Sequence, residues 1–127
     1  MAEQLSLNQD KDGKFITDYE VEVERYRASV PFKDETGYFI LNGVRIQYDF
    51  KAVYVSCMSH IEFNSGKQPN LITETGYRSW FVSAEEFKGF KSIKEVIEQF
   101  IKEIKKPYTL KFIDEEENKM EKELEGI

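Results

Sequence analysis

The sequence predicts an α+β fold: a mostly antiparallel sheet of at least four strands, one main amphipathic helix over about residues 92–106 packed on it, and a marginal C-terminal helix. Three observations predict it. β-rich segments succeed one another through short turns, which favours antiparallel pairing. An Asn-Gly pair lies between apolar flanks, the strongest short hairpin signal. One apolar stripe repeats at helical spacing and ends at a proline. The 127 residues suit a single domain, and ten Phe, seven Tyr and one Trp supply enough buried area for a folded core.

Residues 1–14 are polar and read as a flexible N-terminal arm, with a single α+β domain over 15–113 and an acidic helix or tail over 114–127. From Asp18 the string DYEVEVE alternates, Tyr19, Val21 and Val23 against Asp18, Glu20, Glu22 and Glu24, which predicts a half-buried strand with an acidic face. The apolar phase changes parity after Arg25, which on a strand requires a bulge or a break. In YFILNGVRIQYDF the Asn42-Gly43 turn predicts that Tyr38–Leu41 folds back on Val44–Gln47. AVYVSCMSHIEF is a further β-rich stretch, and LITETGYRSWFV, interrupted by Gly76, is the last strand before the helices.

Ser92 and Glu95 form a capping-box pattern ahead of Ile93, Val96, Ile97, Phe100, Ile101 and Ile104, a helical stripe that Pro107 stops. Ser83 and Glu86 repeat that pattern at a shorter turn. YTLKFI after Pro107 fits a strand or a further helix. In the tail, Met120 and Leu124 are the only apolar pair at i, i+4, so a helix there is marginal alone.

The formal charge of -6 is unevenly distributed. Residues 114–127 carry -5, the rest only -1, and Glu86–Lys111 is +3. The interspersed Glu95, Glu98 and Glu103 make the lysines of that basic segment an ordinary solvated helix face rather than a nucleic-acid groove. One Cys excludes an internal disulfide framework, and one His with one Cys falls short of a metal site. No run of 18 apolar residues is present and the N-terminus is polar, which leads to the expectation of a cytoplasmic protein with no secretory leader and no membrane association.

Candidate chemistry lies in CMSHIEF and ETGYRSWF. On a strand, His60 and Glu62 share a face, where a carboxylate orients an imidazole for acid–base work, and Arg78 would add an anion clamp. These three are the catalytic set of the alternative reading, a small hydrolase or nucleic-acid-processing enzyme. A thiol nucleophile at Cys57 is weighed against core packing, and core packing is favoured. Tyr77, Arg78 and Trp80 form an aromatic and basic patch of the type that anchors interfaces. Asp18, Glu20, Glu22 and Glu24 on one strand face would present a row of negative charge to a basic partner.

The string ETGYRSWF, after HIEFNSG and before a SAEEF helix start, resembles a motif of small plasmid, conjugative-element and phage proteins in which a Thr-Gly-Tyr-Arg-Ser-aromatic-Phe segment follows a Glu-Phe strand. The resemblance spans about His60 to Ile104, with Trp80 where that motif has His. It implies an accessory protein of a mobile element, a setting in which anti-defence proteins of the anti-CRISPR or antirestriction type are frequent. The expected function is therefore a non-enzymatic inhibitory binding protein needing no cofactor and no metal. Its expected binding residues are Asp18, Glu20, Glu22, Glu24, Tyr77, Arg78 and Trp80, and its partner is a host protein or ribonucleoprotein such as a Cas nuclease or restriction enzyme. Direct nucleic-acid binding is not expected; a homodimer is a further option.

Overall fold

The computed structural model describes residues 7–9, 15–55 and 58–125. Strands β1 (Leu7–Gln9) and β2 (Phe15–Thr17) form a two-stranded antiparallel sheet ahead of helix α1 (Asp18–Ser29). Leu7–Gln9, expected within a flexible arm, is thus paired in the structure. Strands β3 (Glu35–Leu41), β4 (Val44–Val55), β5 (Met58–Asn64), β6 (Tyr77–Val82) and β7 (Leu110–Ile113) form one antiparallel sheet in the order β6-β5-β4-β3-β7. A short 3-10 turn (Ala84–Phe87), helix α2 (Ile93–Lys102) and helix α3 (Glu115–Glu125) complete the α+β fold.

The hairpin forms as expected. Asn42 and Gly43 both have positive φ, 49° and 82°, and Leu41 pairs with Val44 and Tyr38 with Gln47. The Asn42 side chain also accepts the Thr109 N–H at 2.8 Å, which joins the turn to the start of β7. YTLKFI is therefore a strand, and its edge register places Phe112 opposite Phe39.

One sheet face carries Phe39, Leu41, Ile46, Tyr48, Phe50, Ile61 and Phe63, all buried, against Ile93, Ile97 and Ile101 of α2. Burying each of these side chains contributes about 1.5–3 kcal/mol, which fixes the helix on that face. Ser92 Oγ accepts the Glu95 N–H at 3.2 Å, capping α2 as expected. The helix ends at Lys102, short of the expected 106, because Lys105 adopts a left-handed φ of 59° that turns the chain before Pro107. Tyr48 lies in this core with its hydroxyl donated to Glu35, and burial together with that carboxylate pushes its phenol well above the usual range.

The largest departure is at 18–29. DYEVEVERYRAS is a helix, not an alternating strand. Val23, Tyr26 and Val30, spaced i, i+3 and i+7, are less exposed than Tyr19, which points to solvent, so the alternation that begins at Tyr19 marks no buried face. Tyr26 packs on the core and its hydroxyl meets Ser59 Oγ at 2.8 Å, while Val30 is buried. Glu22–Arg25 and Glu24–Arg27 ion pairs at 2.9 and 3.4 Å hold the exposed side.

Helix α3 is seated differently from its apolar pattern. Met120 and Leu124 are exposed, whereas Asn118 is buried and accepts a hydrogen bond from Arg45 Nη1 at 3.0 Å. Asp114 caps the helix by accepting the Glu117 N–H at 2.8 Å. The helix thereby covers the second sheet face at β3 and at Arg45 of β4, and leaves Tyr77, Ser79 and Phe81 of β6 exposed.

Candidate functional site

The open face is set by strand parity and cross-strand register. Gln47, Asp49 and Lys51 on β4 stand opposite Asn64, Glu62 and His60 on β5, which in turn stand opposite Tyr77, Ser79 and Phe81 on β6. His60 and Glu62 therefore share a face, as the sequence indicates. Arg78 and Trp80 stand opposite Phe63 and Ile61 and so belong to the helix-packed face. There the Arg78 guanidinium lies 5.7 Å from the Trp80 ring and 5.3 Å from Phe100, and Trp80 stacks on Phe100 at 4.6 Å.

This geometry does not assemble the catalytic set His60, Glu62 and Arg78, because the sheet separates the guanidinium from the other two. Nor does Glu62 orient the imidazole: it accepts the Tyr77 hydroxyl at 2.7 Å, and His60 Nδ1 is buried without a hydrogen-bond partner. The same carboxylate raises the Tyr77 phenol above its ordinary range. Asp49, opposite Glu62, accepts from Thr36 Oγ1 at 2.9 Å and has Lys51 at 3.9 Å. Among the described residues no group of three His, Cys, Asp or Glu side chains is placed to hold a metal. The Cys57 reading lies outside the described residues.

What the face does present is aromatic. The pairing shifts register between Lys51 and Val55, and this irregularity brings Tyr54 over His60, their rings stacked 4.1 Å apart at 20°. Phe81 lies 5.2 Å from His60 and 5.8 Å from Tyr54. His60 is only 6% exposed beneath them, whereas Tyr54 and Phe81 are 53% and 51% exposed and Tyr77 is exposed beside them. The imidazole is thus enclosed by two large, half-exposed aromatic rings on this face. Tyr54 carried no signal in the sequence beyond β propensity; only the register shift places it here.

The predicted binding residues are divided. Tyr77 is on the open face and Arg78 and Trp80 are behind it. Asp18, Glu20, Glu22 and Glu24 do not form a row, because two residues advance about 200° around a helix, which sets Asp18 with Glu22 and Glu20 with Glu24 on different sides of α1. A cleft of about 730 Å³ lies elsewhere, between the end of α1 and the 84–90 segment, lined by Tyr26, Pro31, Phe87 and Phe90.

Among the described residues no helix is long and apolar enough to cross a membrane. Comparison with curated proteins and with solved structures returned no match. A family model described as the KlcB third domain matches residues 34–122, the whole of the five-stranded sheet together with α2 and most of α3, and the chain belongs to that family. KlcB is a plasmid-borne protein of the IncP kil/kor set, which supports a link to mobile elements.

Proposed function

From membership of the KlcB third-domain family, we propose that this plasmid-associated domain works by docking, not catalysis, and that it blocks a host nucleic-acid-handling defence enzyme of the CRISPR or restriction type. The observation that carries the reading is the Tyr54–His60–Phe81 stack with Tyr77 on an uncovered sheet face. Rigid, half-exposed aromatic rings give large contact area at low entropic cost, the composition of interface hot spots. Acidic residues on α1 and α3 flank the fold and favour encounter with a basic surface, the common feature of enzymes that grip nucleic acid.

The test is the plating efficiency of unmodified phage on hosts with active restriction or CRISPR interference, with and without the expressed domain. Plating is expected to rise at least tenfold on one such host, and to fall back with Tyr54→Ala/Phe81→Ala. Equal plating with and without the domain on every such host would refute it.

A further inference from the structure

β6 is an outer strand of the sheet, and its free edge is unusually well suited to pairing. The opposite edge, β7, is four residues long and carries Lys111, features that discourage a further strand. β6 is six residues, YRSWFV, with no proline, no carboxylate and one charged residue. The Ser65 N–H donates to Gly76 O at 2.8 Å, in register with the β5–β6 ladder, so Ser65 and Gly76 form a hydrogen-bonded pair. Antiparallel pairs alternate, so Arg78, Trp80 and Val82 direct their backbone groups to β5. The N–H and C=O of Tyr77, Ser79 and Phe81 then point to the open edge. Of these, Tyr77 O accepts from Thr75 Oγ1 at 3.2 Å; among the described residues no bond reaches the outward groups of Ser79 or Phe81.

We infer that β6 pairs antiparallel with β6 of a second copy of this chain, about a two-fold axis through Ser79. In that register Ser79 faces Ser79, Tyr77 faces Phe81 and Arg78 faces Trp80. The outward groups of all three residues are used, giving up to about six backbone hydrogen bonds across the junction. The smallest side chain of the strand lies on the axis, where the backbones approach to about 4.8 Å. On the open face Tyr77 meets the other copy's Phe81, an aromatic cross-strand pair. On the helix side each Arg78 meets the other copy's Trp80, in a groove that Glu86 and Glu103 also line, so a guanidinium enters acidic, aromatic surroundings and never opposes its own twin. The axis is perpendicular to the sheet, so both open faces lie on one side of a continuous ten-stranded sheet, and the two Tyr54–His60–Phe81 stacks become neighbours on a bivalent surface. This pairing does not depend on the docking partner proposed above.

The experiment measures the mass of the full chain by sedimentation from about 10 μM to about 1 mM, together with oxidative cross-linking. The unsubstituted chain is expected to shift from monomer to twice its mass over that range. Ser79→Lys, which places two ammonium groups on the axis, is expected to remain monomeric with an unchanged melting temperature at low concentration. Ser79→Cys is expected to form a disulfide-linked dimer, because a hydrogen-bonded antiparallel pair has Cα atoms about 5.5 Å apart, within disulfide reach. The unsubstituted chain, whose one thiol is Cys57, is the control. A chain that stays monomeric to 1 mM, a dimer that Ser79→Lys leaves intact, or a Ser79→Cys chain that cross-links no faster than the control would each overturn the inference.

Discussion

Gly76 sets where β6 begins, and replacing it with alanine separates two physical effects. Its φ is +87°, and a Cβ built there would stand 2.4 Å from Gly66 O and 3.1 Å from Gln68 O, both backbone atoms that no rotamer change can move aside. The left-handed backbone costs an alanine about 1–2 kcal/mol. Displacing the 66–68 loop by the roughly 1 Å needed adds an overpacking penalty of about 1–3 kcal/mol. Gly76→Ala should therefore lose about 2–5 kcal/mol, a large share of the roughly 5–15 kcal/mol typical of a domain. Gly43 is the internal control: its φ is +82°, but nothing lies within 4 Å of an added Cβ, so Gly43→Ala should lose only the first contribution. Equilibrium urea denaturation of both variants and the parent measures the difference. Losses equal to within about 0.5 kcal/mol would mean that the loop contact contributes nothing.

Tyr48→Phe should flatten the alkaline limb of the stability curve. The folded phenol titrates above its unfolded value of about 10, so its contribution is intact below pH 10 and is lost as pH rises beyond it, at no more than about 1.4 kcal/mol per pH unit. Urea midpoints at pH 9, 10 and 11 for the two proteins test this, and parallel curves would contradict it. His60→Leu should change stability by no more than about 2 kcal/mol, because it removes a buried unpartnered Nδ1 at the expense of ring contacts with Tyr54 and Phe81; a loss above about 2 kcal/mol by denaturation would contradict this. Glu62→Gln should return the Tyr77 phenol toward about 10 in an ultraviolet titration, and an unchanged titration curve would rule out the 2.7 Å bond as the cause.

The hairpin at Asn42-Gly43 and the stripe of α2 were legible because each depends on local chemistry: a turn that needs two positive φ values and a capped face that recurs every 3.6 residues. Helix α1 was not, because seven alternating residues read as a strand while the helix turns Val23, Tyr26 and the following Val30 inward. The β4–β5 junction carries neither Gly nor Pro, so AVYVSCMSHIEF read as one stretch although the chain reverses within it. At the site, the shared face of His60 and Glu62 followed from parity alone. The stack on Tyr54 did not, since it arises from a register shift between strands that no single segment encodes. Asn118 was overlooked for a related reason: its burial comes from Arg45, 73 residues away in the chain.

The open aromatic face is proposed to act by binding. Titration of the purified domain into a purified host restriction or CRISPR nuclease, at low and high salt, tests it most directly. Inhibition is expected to saturate near one domain per binding site, to weaken with salt, and to require at least tenfold more domain after Tyr54→Ala/Phe81→Ala. Inhibition by catalytic amounts of the domain, or inhibition that the double substitution leaves unchanged, would contradict it.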